Sequence, residues 1–161
     1  MAFPIYMTVT GAAQGQFKGG VEEEGHKEKI RVFEVVSESE VKVHQQTGTA
    51  VSQRQHKGVT VVKELDPATP LLIQAFNKGE ACEVLLEYMW INKKKGVEEV
   101  FYTKKLQGGV ISNRQEFLDS GASNEDALSG HMERITFNCK VTTDTWVDGG
   151  ISTVDDIRNR T

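Results

Sequence analysis

A mainly β fold with one short helix is the prediction for this 161-residue chain. Three observations carry it: period-two alternation of apolar and polar residues in most segments, polar glycine-marked stretches between them, and one isolated apolar stripe at helical spacing. In the first segment Phe3, Ile5, Met7 and Val9 share one face, and Tyr6, Thr8 and Thr10 the other. Further strands are expected at 29–36, 59–65, 82–91, 97–106 and 110–117, with a short piece at 41–43. Near the end Ile135, Phe137, Cys139 and Val141 alternate with Arg134, Thr136, Asn138 and Lys140. Polar loops are expected at 11–25, 44–58, 92–96, 119–130 and 148–150, and Gly108-Gly109 reads as a hairpin turn.

In segment 82–91 the residues Cys82, Val84, Leu86, Tyr88 and Trp90 form an apolar row, yet Leu85, Met89 and Ile91 interrupt the polar row behind it. A strand apolar on part of both faces belongs in a barrel wall whose outer side is also covered, by the helix or by another subunit. The helix is expected over 71–77, with Leu71, Leu72, Ala75 and Phe76 as its stripe. It is too short to persist without a surface to pack on, so it is expected as a lid on the barrel. Pro70 suits a first helical position, Thr69 before it an N-cap, and Gly79 a left-handed C-cap.

One domain over residues 1–161 accommodates this pattern without metals or disulfides. A formal charge of −4 and a pI near 5.6 exclude a general electrostatic grip on nucleic acid or anionic lipid. No run approaches the roughly 18 apolar residues of a membrane-spanning helix, so no membrane insertion is expected. Residues 1–6 carry neither the basic nor the apolar region of a signal peptide, and the chain is expected to fold in the cytoplasm. Cys82 and Cys139 fall on apolar faces, outside any Cys-x-x-Cys pair, and are expected as reduced core residues. There is no Gly-x-Ser-x-Gly elbow and no His-Glu-x-x-His, while His26, His44, His56 and His131 fall in expected loops or at strand ends. No catalytic residue, cofactor or metal ligand is therefore assigned.

The most informative stretch runs from Arg54 to Trp90. His56-Lys57-Gly58 leads into a strand, Asp66-Pro67-Ala68-Thr69-Pro70 turns the chain into the helix, and Lys78-Gly79 ends it before the next strand. The opening strand with Gly11 and Gly15, His131-Met132-Glu133-Arg134-Ile135-Thr136-Phe137 with Val141 and Thr145-Trp146, and Asp148-Gly149-Gly150 complete the order. Over nearly the whole chain this order resembles the Hcp (haemolysin-coregulated protein) family, the tube proteins of bacterial type VI secretion. The tail departs from it, because Asp155-Asp156-Ile157 stands where many members carry an aromatic residue. The resemblance implies a β-barrel of two antiparallel sheets flanked by one α-helix, assembling into a hexameric ring. It further implies that rings stack into a tube, exported without a signal peptide by a contractile sheath. The implied partners are copies of the chain, sheath and spike proteins, and small effector proteins carried in the lumen.

Segment 44–57 is polar for its length. On composition alone it is an exposed hairpin; the resemblance makes it an extended loop that touches neighbouring protomers, with Arg54, His56 and Lys57 as the ring-stacking or protomer contacts. Glu22-Glu23-Glu24 and Lys93-Lys94-Lys95 are runs of opposite sign, readable as solvated turns or as salt-sensitive steering between rings. Trp90 and Trp146 are expected in the core or at a subunit interface. The alternative is a monomeric β-barrel ligand-binding or protein-interaction module with one concave apolar pocket. A hydrolase on the same barrel lacks its motif.

Overall fold

The computed structural model describes residues 3–118 and 130–156, and among these it holds ten strands and one helix. In chain order they are β1 (Ile5–Gly11), β2 (Gly15–Gln16), β3 (Ile30–Val32), β4 (Glu34–Glu40), β5 (Gln55–Glu64), α1 (Thr69–Lys78), β6 (Cys82–Ile91), β7 (Glu98–Leu118), β8 (His131–Asn138), β9 (Val141–Trp146) and β10 (Ile151–Asp156). Of the sequence expectations, Met1, Ala2, the loop at 119–129 and Ile157 lie outside the described residues.

All pairings are antiparallel and fall into two sheets. One runs β3-β1-β6-β7-β9-β10 and the other β4-β5-β8-β7. Two segments belong to both sheets and close them into a barrel. At the first corner β3 pairs with β1, the Phe33 amide donates to the Val62 carbonyl at 2.8 Å, and β4 continues along β5. At the second, the first half of β7 lies between β6 and β9 and the second half pairs with β8. Gly108-Gly109 makes this second corner. The pair was expected to form a hairpin turn, but Gly108 takes φ 64° inside one 21-residue strand, and the register slips there between Cys82 and Val84. A glycine bulge bends a strand without reversing it, and composition alone does not separate the two outcomes.

A second slip lies between Tyr88 and Met89, where β7 carries the extra residue, Phe101. On β6 Met89 is buried apart from the main core cluster, while Ile91 stays half exposed. The barrel interior is filled by Met7, Val9, Leu86, Leu106, Ile135 and Phe137, all fully buried.

Helix α1 covers one end of the barrel, with Leu72 and Ala75 in the same core cluster as Val9, Phe17 and Val84. Its C-cap is Gly79 at φ 64°, whose N–H reaches the carbonyls of Ala75 and Phe76. The N-terminus differs from expectation. Ala68 is the N-cap and Thr69 already lies in the helix, because the Thr69 hydroxyl is engaged in accepting the Asp66 N–H at 3.0 Å. Asp66 Oδ1 accepts the Ala68 N–H at 3.0 Å, so an aspartate turn takes the place of a threonine cap. At the other end, Glu80 accepts the amides of Ala13 and Gln14 and ties the β1–β2 turn to the helix exit.

Candidate functional site

The structure brings together two of the three residues singled out as contacts, along with a partner from the far end of the chain. Across four strands the same face carries three rows: Val84, Leu106, Thr142, Asp155; then Leu86, Lys104, Asp144, Thr153; then Tyr88, Tyr102, Trp146, Ile151. Each row begins in the core and ends on β9–β10, which overhangs the barrel. The first therefore turns Asp155 toward the opposite sheet, where β5 begins. There Asp155 Oδ2 lies 2.7 Å from His56 Nε2, and Oδ1 accepts from Arg54 at 3.1 Å. Ser39 Oγ is 3.1 Å from His56 Nδ1. The tail that departs from the resemblance thus supplies the carboxylate that holds Arg54 and His56.

Lys57 turns elsewhere, to Glu40 at 3.3 Å and Glu38 at 3.6 Å on β4. The Glu40 carboxylate beside it holds the ammonium above its ordinary pKa. Between β4 and β5 the chain forms an arm, residues 41–54, rather than a shapeless loop. The His44 amide donates to the Thr49 carbonyl at 2.8 Å, the Val51 amide to the Lys42 carbonyl at 2.8 Å, and Val43 bridges Ala50. On this arm Val41, Val43 and Val51 are exposed.

Other exposed apolar residues lie at the margins of the sheets. Among the described residues β4 and β10 each pair along one side only, and they carry exposed Val36, Ile151 and Val154. Trp90 stacks on Phe101 at 4.6 Å between centroids, and Trp146 meets both edge-on at 5.7 Å. This cluster sits half exposed beside a cleft of about 430 Å³ lined by Trp90, Ile91, Lys93, Lys94 and Asp148. The Glu22-Glu23-Glu24 run lies in a different loop, where Tyr6 donates to Glu23 at 2.7 Å and stacks on His26 at 4.1 Å. Burial first, then that bond to Glu23, push the Tyr6 hydroxyl pKa well up.

Sequence reasoning missed a buried ion pair. Lys63 Nζ, with no exposed surface, donates to the Glu64 carbonyl at 2.8 Å, Glu133 at 3.1 Å and Thr69 at 3.2 Å, and forms an ion pair with Asp66 at 2.9 Å. Thr69 also donates to Glu133 Oε2. Lys63 stands at the same strand parity as Val59 and Val61, which was the available signal. The network joins β5, β8 and α1. Cys82 is buried, which pushes its thiol up to about 11, while Cys139 lies half-buried in the turn between β8 and β9, 3.1 Å from the Thr142 hydroxyl.

Comparison with known proteins agrees with this architecture. Residues 6–146 match the family model described as "Type VI secretion system effector, Hcp". The chain is 30% identical to the "Major exported protein" of Pseudomonas aeruginosa, over 99% of this chain and 98% of that one. A solved structure titled "Crystal structure of Hcp protein" superposes with a TM-score of 0.86 at 26% identity, over 96% of this chain and 98% of the other. "Secreted protein Hcp3 from Pseudomonas aeruginosa" gives 0.77 at 26% identity, over 94% and 98%. With a family match across its barrel and a full-length relative of this similarity, the chain belongs to the Hcp family, a structural component of type VI secretion and not an enzyme.

Proposed function

We propose that the chain is the subunit of the type VI inner tube, closing into hexameric rings that stack and carry small effector proteins in the lumen. Family membership supports the role. The single structural observation that carries the assembly is the pair of open sheet margins, β4 and β10, with Val36, Ile151 and Val154 exposed on them. Open strand edges bearing apolar side chains invite pairing, and a closed ring disposes of them. Ring upon ring is then a head-to-tail contact, which grows a filament, and six copies of a modest contact suffice at each junction.

In this reading the arm at 41–54 reaches a neighbouring protomer through Val41, Val43 and Val51, while Arg54, His56 and Lys57 at its base set its direction. The Glu22–Glu24 and Lys93–Lys95 loops add salt-sensitive steering between rings. Sheath and spike proteins are the further partners, and the chain is made in the cytoplasm and exported by the apparatus itself. Filling of the barrel interior by core side chains supports a structural subunit over a ligand-binding barrel.

Mass photometry across micromolar concentrations, with negative-stain microscopy, tests the reading. Six-lobed rings are the expected result, and a monomer at every concentration overturns it.

A further inference from the structure

Three buried side-chain atoms lack a hydrogen-bond partner among the described residues: His26 Nδ1, Arg114 Nε and Glu133 Oε1. The last two belong together. Along β8 the core face runs Glu133, Ile135, Phe137, and in the β7–β8 ladder Glu133 stands opposite Glu116 and Ile135 opposite Arg114. Arg114 and Glu133 are therefore diagonal neighbours on one face, with α-carbons about 7–8 Å apart in such a ladder, within reach of two long side chains. They do not pair with each other. Glu133 Oε2 takes the hydrogen bonds of Lys63 and Thr69, and Arg114 turns a terminal nitrogen to Glu116.

A carboxylate oxygen left unpaired inside a protein forfeits the hydration it had in the unfolded chain, and nothing replaces it. Here one orphan is an N–H donor and the other a charged acceptor. An anion cannot serve Glu133 Oε1 and a cation cannot serve Arg114 Nε, so the group that serves both must accept from one and donate to the other. Water does this, and a polar site with two such partners is where a buried water is kept.

We propose that one buried water bridges Arg114 Nε and Glu133 Oε1, accepting the guanidinium N–H and donating to the carboxylate. The bridge joins two separate sets of ion pairs into one row of alternating charge: Asp66, Lys63, Glu133, Arg114, Glu116. That row runs from the turn before α1 across β5 and β8 to β7. Among the described residues the second half of β7 pairs with β8 alone, so the bridge ties a one-sided margin to the Lys63–Glu133 pair, which has no exposed surface. Arg114, with a side-chain exposure of 21%, closes the row toward solvent.

The bridge belongs to the single chain and is tested there, whether or not rings form. A crystal structure of the full chain, at a resolution that shows ordered water, is expected to hold one water within hydrogen-bond reach of both Arg114 Nε and Glu133 Oε1. Direct contact between Arg114 and Glu133, or the two atoms facing protein with no water between them, overturns the proposal, and no variant is needed. Urea denaturation of Arg114→Met, Glu133→Gln and the double variant gives a second reading. Either change alone already deprives the water of a partner, so the effect of both on the unfolding constant should depart from the product of the single effects by about fivefold. Effects that simply multiply overturn the bridge as well.

Discussion

At the scale of single residues the strongest constraint is the buried Lys63–Glu133 pair, because neither side chain has any exposed surface. Two charges taken out of water are kept only by their mutual attraction and by further hydrogen bonds, here from Thr69 and to Asp66 and the Glu64 carbonyl. Lys63→Met leaves Glu133 buried without its cation and should cost about 3–5 kcal/mol in urea denaturation. The double variant Lys63→Met, Glu133→Leu should recover much of that loss; a single variant as stable as the wild type would show the charges to be incidental. Glu80 supplies a gentler test. Its carboxyl is held below the usual carboxylate range by the Gln14 side-chain amide first, then by the Ala13 and Gln14 backbone amides. A lowered folded value means stability that is present above the ordinary carboxylate range and lost as pH falls through the lowered one. Glu80→Gln should therefore flatten the stability profile between about pH 5 and about pH 3. An unchanged slope would remove Glu80 from the acid response.

Elements show where sequence patterning suffices and where it stops. Alternation placed β1, β5, β6 and β8 because each has one face in the core, and the helix was visible because Leu72 and Ala75 recur at helical spacing between Pro70 and Gly79. The corner at Gly108 was read as a turn, since glycine pairs mark both, and the overhang β9–β10 was only partly visible because its rows run from apolar to polar residues. The His56–Asp155 contact joins residues 99 positions apart, which no local pattern reveals, although the parity of Asp155 with Val84 and Leu106 encodes it once the strands are aligned. Gly58 fixes the register that makes this alignment possible. It sits at φ +85°, and an added Cβ would lie 2.8 Å from the Phe137 carbonyl oxygen and 2.9 Å from Asn138 Oδ1. Gly58→Ala should therefore cost at least about 2 kcal/mol, combining the left-handed backbone penalty with a contact that β8 must move to relieve. Gly96→Ala, at φ +68° in open space, should cost only the backbone part, about 1 kcal/mol. Equal losses in thermal or urea unfolding would mean that the close approach to β8 contributes nothing.

For the whole molecule, the decisive question is whether the barrel's open margins are mating surfaces. A typical protein surface is more than half apolar, so scattered exposed valines decide little. What matters is their position: Ile151 is 69% exposed and Val154 62%, on an edge strand with no pairing partner on its outer side among the described residues. Edge strands of proteins that remain monomeric are usually blunted by charge, proline or a bulge. Here Asp155 is drawn toward His56 and Arg54, so one of the two carboxylates of β10 is engaged within the chain. Ile151→Lys and Val154→Lys restore such a charge on opposite faces of β10 without touching the core. Each variant should keep the wild-type far-ultraviolet circular dichroism and unfold within about 0.5 kcal/mol of the wild type, as exposed substitutions do. Ring formation should respond much more strongly, because a loss at one interface is repeated at all six junctions and the ring closes only if every one holds. Mass photometry at micromolar protein should then find monomers or open fragments in at least one variant where the wild type gives closed rings. Rings of full mass in both would place the subunit contact elsewhere on the barrel and leave β10 an ordinary solvated edge.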